Sequence, residues 1–174
     1  MASIGHVAIG LATARWAGNR AGAGDSLSGS KWFWPALSLL PDADVIGFSF
    51  GVRYADEWGH RGATHSLVFG AALGALVGLL APLLGAPRLR TGVLAALVLI
   101  SHPLLDVLTT GGLGCALLWP FEQTRYFAPW RPIPVAPIGA AFLSGRGVFV
   151  AVVEVILFLP LLLYSFWPNR EVVK

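Results

Sequence analysis

The chain has 174 residues, 56% of them hydrophobic and only 12% charged, with a mean hydropathy of +0.71. Soluble domains carry about 25% charged residues, so this balance excludes an ordinary soluble domain and predicts an integral membrane protein. The formal charge is +3 and the pI near 9.5, but the Lys and Arg residues form no basic run; nucleic acid is therefore not an expected partner, and membrane lipid headgroups are.

The length suits one membrane-embedded domain spanning residues 1–174. The N-terminus lacks the cationic lead and apolar core of a cleavable signal, so the spans themselves are expected to target the chain. In chain order, residues 3–17 predict a short helix capped by Ser3 and ending near Gly18. A Gly- and Ser-rich loop follows, then a shorter helix over residues 31–40 that stops at Pro41. The PDAD string carrying Asp42 and Asp44 reads as an extended turn.

Residues 62–87 contain no Lys, Arg, Asp or Glu and are longer than the roughly 20 residues that cross a bilayer. This is the clearest transmembrane segment. Its Gly70, Gly74 and Gly78, at four-residue spacing, predict close backbone packing on a neighbour. Further spans are predicted over residues 91–109 and 147–167, the last interrupted by Glu154. Between them, residues 111–145 carry Trp119, Phe121, Tyr126, Phe127 and Trp130 among prolines, a composition suited to the headgroup level. The expected fold is thus all-α: a membrane helical bundle of about four to five helices, some short or broken, with an interfacial loop.

Four histidines stand out in this apolar chain: His6 in GHVAIG, His60 and His65 in HRGATHS, and His102 in SHPLLDVLTTGG. Polar groups of this kind are costly in a membrane unless they pair or bind an ion. If the segments alternate across the bilayer, all four fall at one end with Asp42, Asp44 and Asp106. His102 and Asp106, four apart, project from one helix face. With the single Cys115 excluding a cysteine-rich zinc site, imidazole and carboxylate must supply any ligands, which suits zinc, with manganese or iron as alternatives. His6, Asp44, His65, His102 and Asp106 are the candidate metal ligands. Asp42 and Asp44 can both reach a metal, one as ligand and the other behind it. His60 is a candidate further ligand or proton donor, and Arg61 a candidate phosphate clamp.

Taken in order, GHVAIGLA, LLPDAD, HRGATHSL, SHPLLDVLTTGG and LLWPF resemble the YdjM-like family of membrane-bound, metal-dependent hydrolases over roughly residues 5–130. The order of His6, an Asp in PDAD, a histidine of HRGATHS, and His102 with Asp106 is also similar to the ligand order of zinc-dependent phospholipase C and related zinc nucleases. Those enzymes are helical and cleave phosphodiesters with a zinc cluster. Their pattern continues with further histidines and a glutamate, whereas this chain has no histidine after 102; one metal position is then absent or rebuilt from Asp42, His60 or Glu122.

The resemblance implies an inner-membrane hydrolase with one to three divalent ions, acting by metal-activated water on a phosphate ester or phosphodiester of a lipid or lipid-linked substrate. His60, Arg61 and Asp42 are the expected catalytic residues. The competing readings are a noncatalytic scaffold stapled by metal, and an ion or metal transporter. A transporter predicts polar residues through the membrane depth, while here they gather at one end. HExxH and phosphate-binding glycine loops are both missing. Seven Lys and Arg lie at the end away from the histidines and five at the site end, which places the site on the outer face by the positive-inside rule. Oligomeric state is not encoded in these motifs.

Overall fold

The computed structural model describes residues 3–167. Five α-helices are present among them: α1 (Ser3–Gly18), α2 (Phe33–Leu39), α3 (Leu67–Leu80), α4 (Arg88–Asp106) and α5 (Gly145–Phe166). Short 3-10 helices occupy Leu40–Phe50, Ala63–His65, Ala81–Leu84 and Gly139–Leu143. Three stretches are long and apolar enough to cross a membrane: Leu67–Leu84, Arg88–Asp106 and Gly145–Phe166. The all-α membrane bundle expected from composition is what forms.

α3 and α4 make an antiparallel hairpin whose seam is set by small residues. A Cβ added at Gly74 would collide with Cα and Cβ of Ala96, and one at Gly78 would lie 2.8 Å from the Cα of Gly92. No side chain larger than hydrogen fits there, so the backbones approach as membrane helices with small-residue seams do. Ser66 caps α3 by accepting from the backbone N–H of Phe69 at 3.0 Å. The neighbouring Thr64 hydroxyl donates instead to Asp44 Oδ2 at 2.8 Å.

α1 lies between α2, α4 and α5. It packs tightly on α2 at Gly10, where a Cβ would sit 2.5 Å from the Cα of Pro35. Ala14, Ala17, Trp34, Leu37, Ala95, Val98 and Leu99 form the apolar core that α1, α2 and α4 share. Ser3 was the expected cap of α1, but it is the first helical residue. The free N–H groups of Ile4 and Gly5 donate instead to Oε2 of Glu154, at 2.7 and 3.2 Å. A carboxylate from α5 thus satisfies the positive end of another helix.

The PDAD segment is not an extended turn. It belongs to the 3-10 helix Leu40–Phe50, which continues from α2 with Pro41 in its first turn. Gly51, at φ 82°, ends it. The long connection after α4 folds back over residues 60–67: Ala116 donates to the carbonyl of Arg61 at 3.0 Å, Leu67 to that of Leu117 at 3.0 Å, and the Arg125 guanidinium to that of His60 at 2.8 Å.

Candidate metal centre

The helix ends converge on one point. α4 brings His102 and Asp106 in its last turns, the 3-10 helix before α3 brings His65, and the 3-10 helix after α2 brings Asp42. One ligand atom from each of these four lies within 4.8 Å of every other. His65, His102 and Asp106 are fully buried, and Asp42 is 6% exposed.

Neighbouring hydrogen bonds decide which atoms face the centre. His102 donates from Nδ1 to the Ser38 carbonyl at 2.7 Å, leaving Nε2 as an acceptor. His65 turns Nδ1 toward the Thr64 hydroxyl at 3.0 Å and Asp44 Oδ2 at 3.2 Å. The two Nε2 atoms then meet at 3.1 Å. Oδ1 of Asp42 lies 3.4 Å from each of them, and Oδ2 of Asp106 is 3.6 Å from His65 and 4.0 Å from His102. Two imidazole lone pairs and two carboxylates crowd one buried point, and something positive has to sit among them.

A metal fits that requirement. Tetrahedral ligands at bond lengths of about 2.0–2.1 Å are separated by about 3.3 Å, close to the separations found. Both Asp42 oxygens are buried with no hydrogen bond, the state of a carboxylate awaiting a cation. In a metal-free site a proton does part of this work. Burial depresses the His65 imidazole, but the Asp42 and Asp44 carboxylates beside it outweigh that and raise its pKa from 6.5 to about 9. The same imidazoles hold Asp42 well below the ordinary carboxylate range despite burial.

Asp44 stands behind this group. It accepts from His60 Nδ1 at 2.7 Å, from the Thr64 hydroxyl at 2.8 Å and from the Arg61 backbone N–H at 3.2 Å. Burial works to raise its pKa, yet hydrogen bonds from His60 and His65 hold it at about 2. Asp44, His60 and His65 also form a second triad of possible ligand atoms within 4.8 Å. His60 reaches toward the first group, with Nδ1 3.9 Å from Asp42 Oδ1.

His6 comes from α1. Its ring stacks on His102 with centroids 3.7 Å apart, and Nε2 is 3.5 Å from Asp106 Oδ1. Neither of its buried ring nitrogens has a hydrogen bond. Arg61 is fully buried, with φ at 66°. Its Nε lies 3.0 Å from Asp106 Oδ2, while Nη1 donates to the Gly111 carbonyl at 2.8 Å and Nη2 to the Thr109 hydroxyl at 3.1 Å. Glu122, by contrast, is exposed and bonded to Tyr126 at 2.8 Å.

Two participants have weak or no sequence signals. The Ser38 carbonyl orients His102, and nothing in a side-chain pattern marks a backbone acceptor. Glu154 was visible as a lone carboxylate in an apolar span, but its link to the first turn of α1 required the fold.

Fold and site together define a polytopic helical membrane protein with a buried His/Asp cluster able to hold a metal ion. The chain belongs to the family described as YdjM inner membrane protein, which matches residues 1–171. It is also 48% identical over 106 residues to the inner membrane protein YbcI of Escherichia coli (strain K12), an alignment covering 58% of this chain and 59% of that protein. The match thus extends over about three fifths of the relative's length. No solved structure matches the chain.

Proposed function

We propose that the protein is a membrane-bound, metal-dependent hydrolase whose substrate is a phosphate ester or phosphodiester of a lipid or lipid-linked molecule. The observation that carries this reading is the donor set itself: two imidazoles and two carboxylates converging within 4.8 Å, with a histidine–carboxylate pair beside them. Structural zinc sites are built mainly from cysteine, whereas hydrolytic sites use histidine and carboxylate.

In this proposal Asp42, His65, His102 and Asp106 hold a divalent ion, zinc first and manganese second. When bound, such an ion supplies Lewis acidity toward a phosphoryl oxygen and acidifies water. Ser38, through its carbonyl, and Asp44 fix the tautomers of His102 and His65. Asp44 also orients His60, which sits beside Asp42 and serves as the proton donor to the leaving alkoxide. Asp42 and Asp44 thus exchange the roles assigned to them on sequence grounds. Arg61 holds Asp106 in place rather than clamping phosphate, because its donors are already directed to Asp106, Gly111 and Thr109. His6 is the candidate for a second ion position shared with Asp106 Oδ1.

A second reading has its own support. Four protein donors can complete a tetrahedral shell, and none is more than 6% exposed; a closed shell describes a metal staple that joins α4 to the two 3-10 helices. One experiment separates the two. Metal content and hydrolysis of a chromogenic phosphodiester are measured on detergent-purified wild type beside His102→Ala. One or more equivalents of metal, lost with turnover in the variant, supports the hydrolase. Metal without turnover on phosphodiesters or lipid phosphate esters supports the staple, and no metal after reconstitution sinks both.

A further inference from the structure

The turn that carries His60 is shaped by a side chain 65 residues further along the chain. The peptide unit joining His60 to Arg61 is gripped at both of its polar atoms. Its N–H, that of Arg61, donates to Asp44 Oδ2 at 3.2 Å. Its carbonyl, that of His60, accepts from Arg125 Nη1 at 2.8 Å. The next carbonyl, that of Arg61, accepts from the Ala116 N–H at 3.0 Å. Together these bonds hold Arg61 at φ 66°, a conformation that residues other than glycine seldom adopt and that persists where the surroundings over-determine it. The result is two neighbouring side chains with different targets: the His60 imidazole meets Asp44 Oδ1 at 2.7 Å, and the Arg61 guanidinium lies 3.0 Å from Asp106 Oδ2.

Arg125 does more than meet one carbonyl. Its Nη2 donates to the carbonyls of Asp56 at 3.0 Å and Tyr54 at 3.3 Å. The Tyr54 ring stands edge-on to His60, with centroids 5.1 Å apart and planes at 89°. One guanidinium therefore fixes the backbone of the imidazole and of the aromatic ring that flanks it. A planar fork with several donors can span these carbonyls, whereas the compact ammonium of lysine cannot. Arg125 is itself anchored, because Tyr126 exchanges both backbone bonds with the buried Cys115, at 3.0 and 2.9 Å.

We propose that Arg125 is a positioning residue for the hydrolysis: it locks the His60–Arg61 turn and so sets the His60–Asp44 pair beside the metal ligands. The proposal rests on the reading of His60 as proton donor, but the control of the His60–Asp44 pair by Arg125 can be measured without turnover. In the step concerned, a water oxygen bonds to phosphorus and gives up a proton to the surrounding water. The bond from phosphorus to the leaving oxygen breaks, and that oxygen takes a proton from His60 Nε2. A poor leaving group needs this proton and a good one leaves without it.

The test compares purified full-length wild type, Arg125→Gln and Arg125→Lys on two phosphodiesters, with metal content measured on the same samples. Diphenyl phosphate has the poorer leaving group and bis(2,4-dinitrophenyl) phosphate the better. Arg125→Gln is expected to slow the first about 100-fold, the scale of a misplaced catalytic group, and the second by less than about threefold, with metal retained. Arg125→Lys keeps the charge without the fork and gives the same selective loss at about tenfold, which decides the matter if the glutamine variant does not fold. Equal losses on both esters, loss of metal, or no loss on either overturns the proposal. A second readout is the downfield proton resonance of the short His60–Asp44 hydrogen bond, identified by its absence from His60→Asn. It is expected to vanish from Arg125→Gln at unchanged metal content, and its persistence overturns the proposal. Where the wild type does not hydrolyse both esters, the proton-donor reading of His60 fails and this resonance alone decides whether Arg125 sets the pair.

Discussion

The His6 ring lies flat on that of His102, with centroids 3.7 Å apart and planes 12° from parallel. Two imidazolium ions would repel one another in this stack, so at least one ring has to be neutral, which is the state a metal ligand requires. His6→Phe retains the stacked ring and removes both nitrogens. The expected result is a folded protein with reduced metal stoichiometry if His6 shares an ion with Asp106, read by metal analysis. Unchanged stoichiometry would confine His6 to packing.

In the proposed site Asp42 is a ligand and Asp44 its support. Asp42→Asn removes a charged donor from the four-atom group and is expected to abolish tight metal binding. Asp44→Asn leaves that group complete but loosens His60 and His65, lowering metal affinity about 10- to 100-fold. Equilibrium dialysis against zinc gives both values. Equal losses in the two variants would show that Asp44 is itself a ligand.

Metal uptake should carry the pH signature of His65. Its pKa of about 9 against an ordinary 6.5 means that the metal-free site holds a proton at neutral pH. An entering ion has to displace it, so apparent affinity rises by about tenfold per pH unit from pH 7 to 9 and flattens above. Zinc titrations in detergent at several pH values measure the slope. A flat profile below pH 9 would mean that His65 does not exchange its proton for metal.

Arg61→Met removes the guanidinium that lies 3.0 Å from Asp106. Breaking a buried ion pair by deleting one partner costs about 3–5 kcal/mol, and here the donors to Gly111 and Thr109 go with it. The variant is expected to unfold several degrees below wild type in detergent, with metal restoring part of the loss by neutralising Asp106. Thermal unfolding with and without zinc tests both statements.

The helices and the histidines' shared end were legible in the sequence, because long apolar runs and isolated polar residues are strong signals in a membrane chain. His102 and Asp106 share a helix face by spacing alone. The PDAD segment was less legible. An extended turn and a 3-10 helix both accept Pro followed by Asp, and the winding decides which carboxylate faces inward. Arg61 was read by its chemistry as an anion clamp, but its left-handed backbone conformation turns it inward to Asp106. Local composition carries no sign of that reversal.

The seam between α3 and α4 makes a further prediction. Gly74→Val adds three carbons, the first of which already collides with Ala96, and overpacking of this kind costs about 1–3 kcal/mol. The hairpin would splay at mid-membrane, with a lowered unfolding temperature. Gly22→Val, where an added Cβ meets nothing within 4 Å, is the matched control and is expected to leave that temperature unchanged.

Among the described elements, and apart from the short 3-10 helix that leads into it, α5 packs on α1 alone. All of the candidate ligands precede it in the chain. During synthesis the cluster can therefore close before the last span has left the ribosome, and α5 arrives as a late clasp whose Glu154 fastens the start of α1.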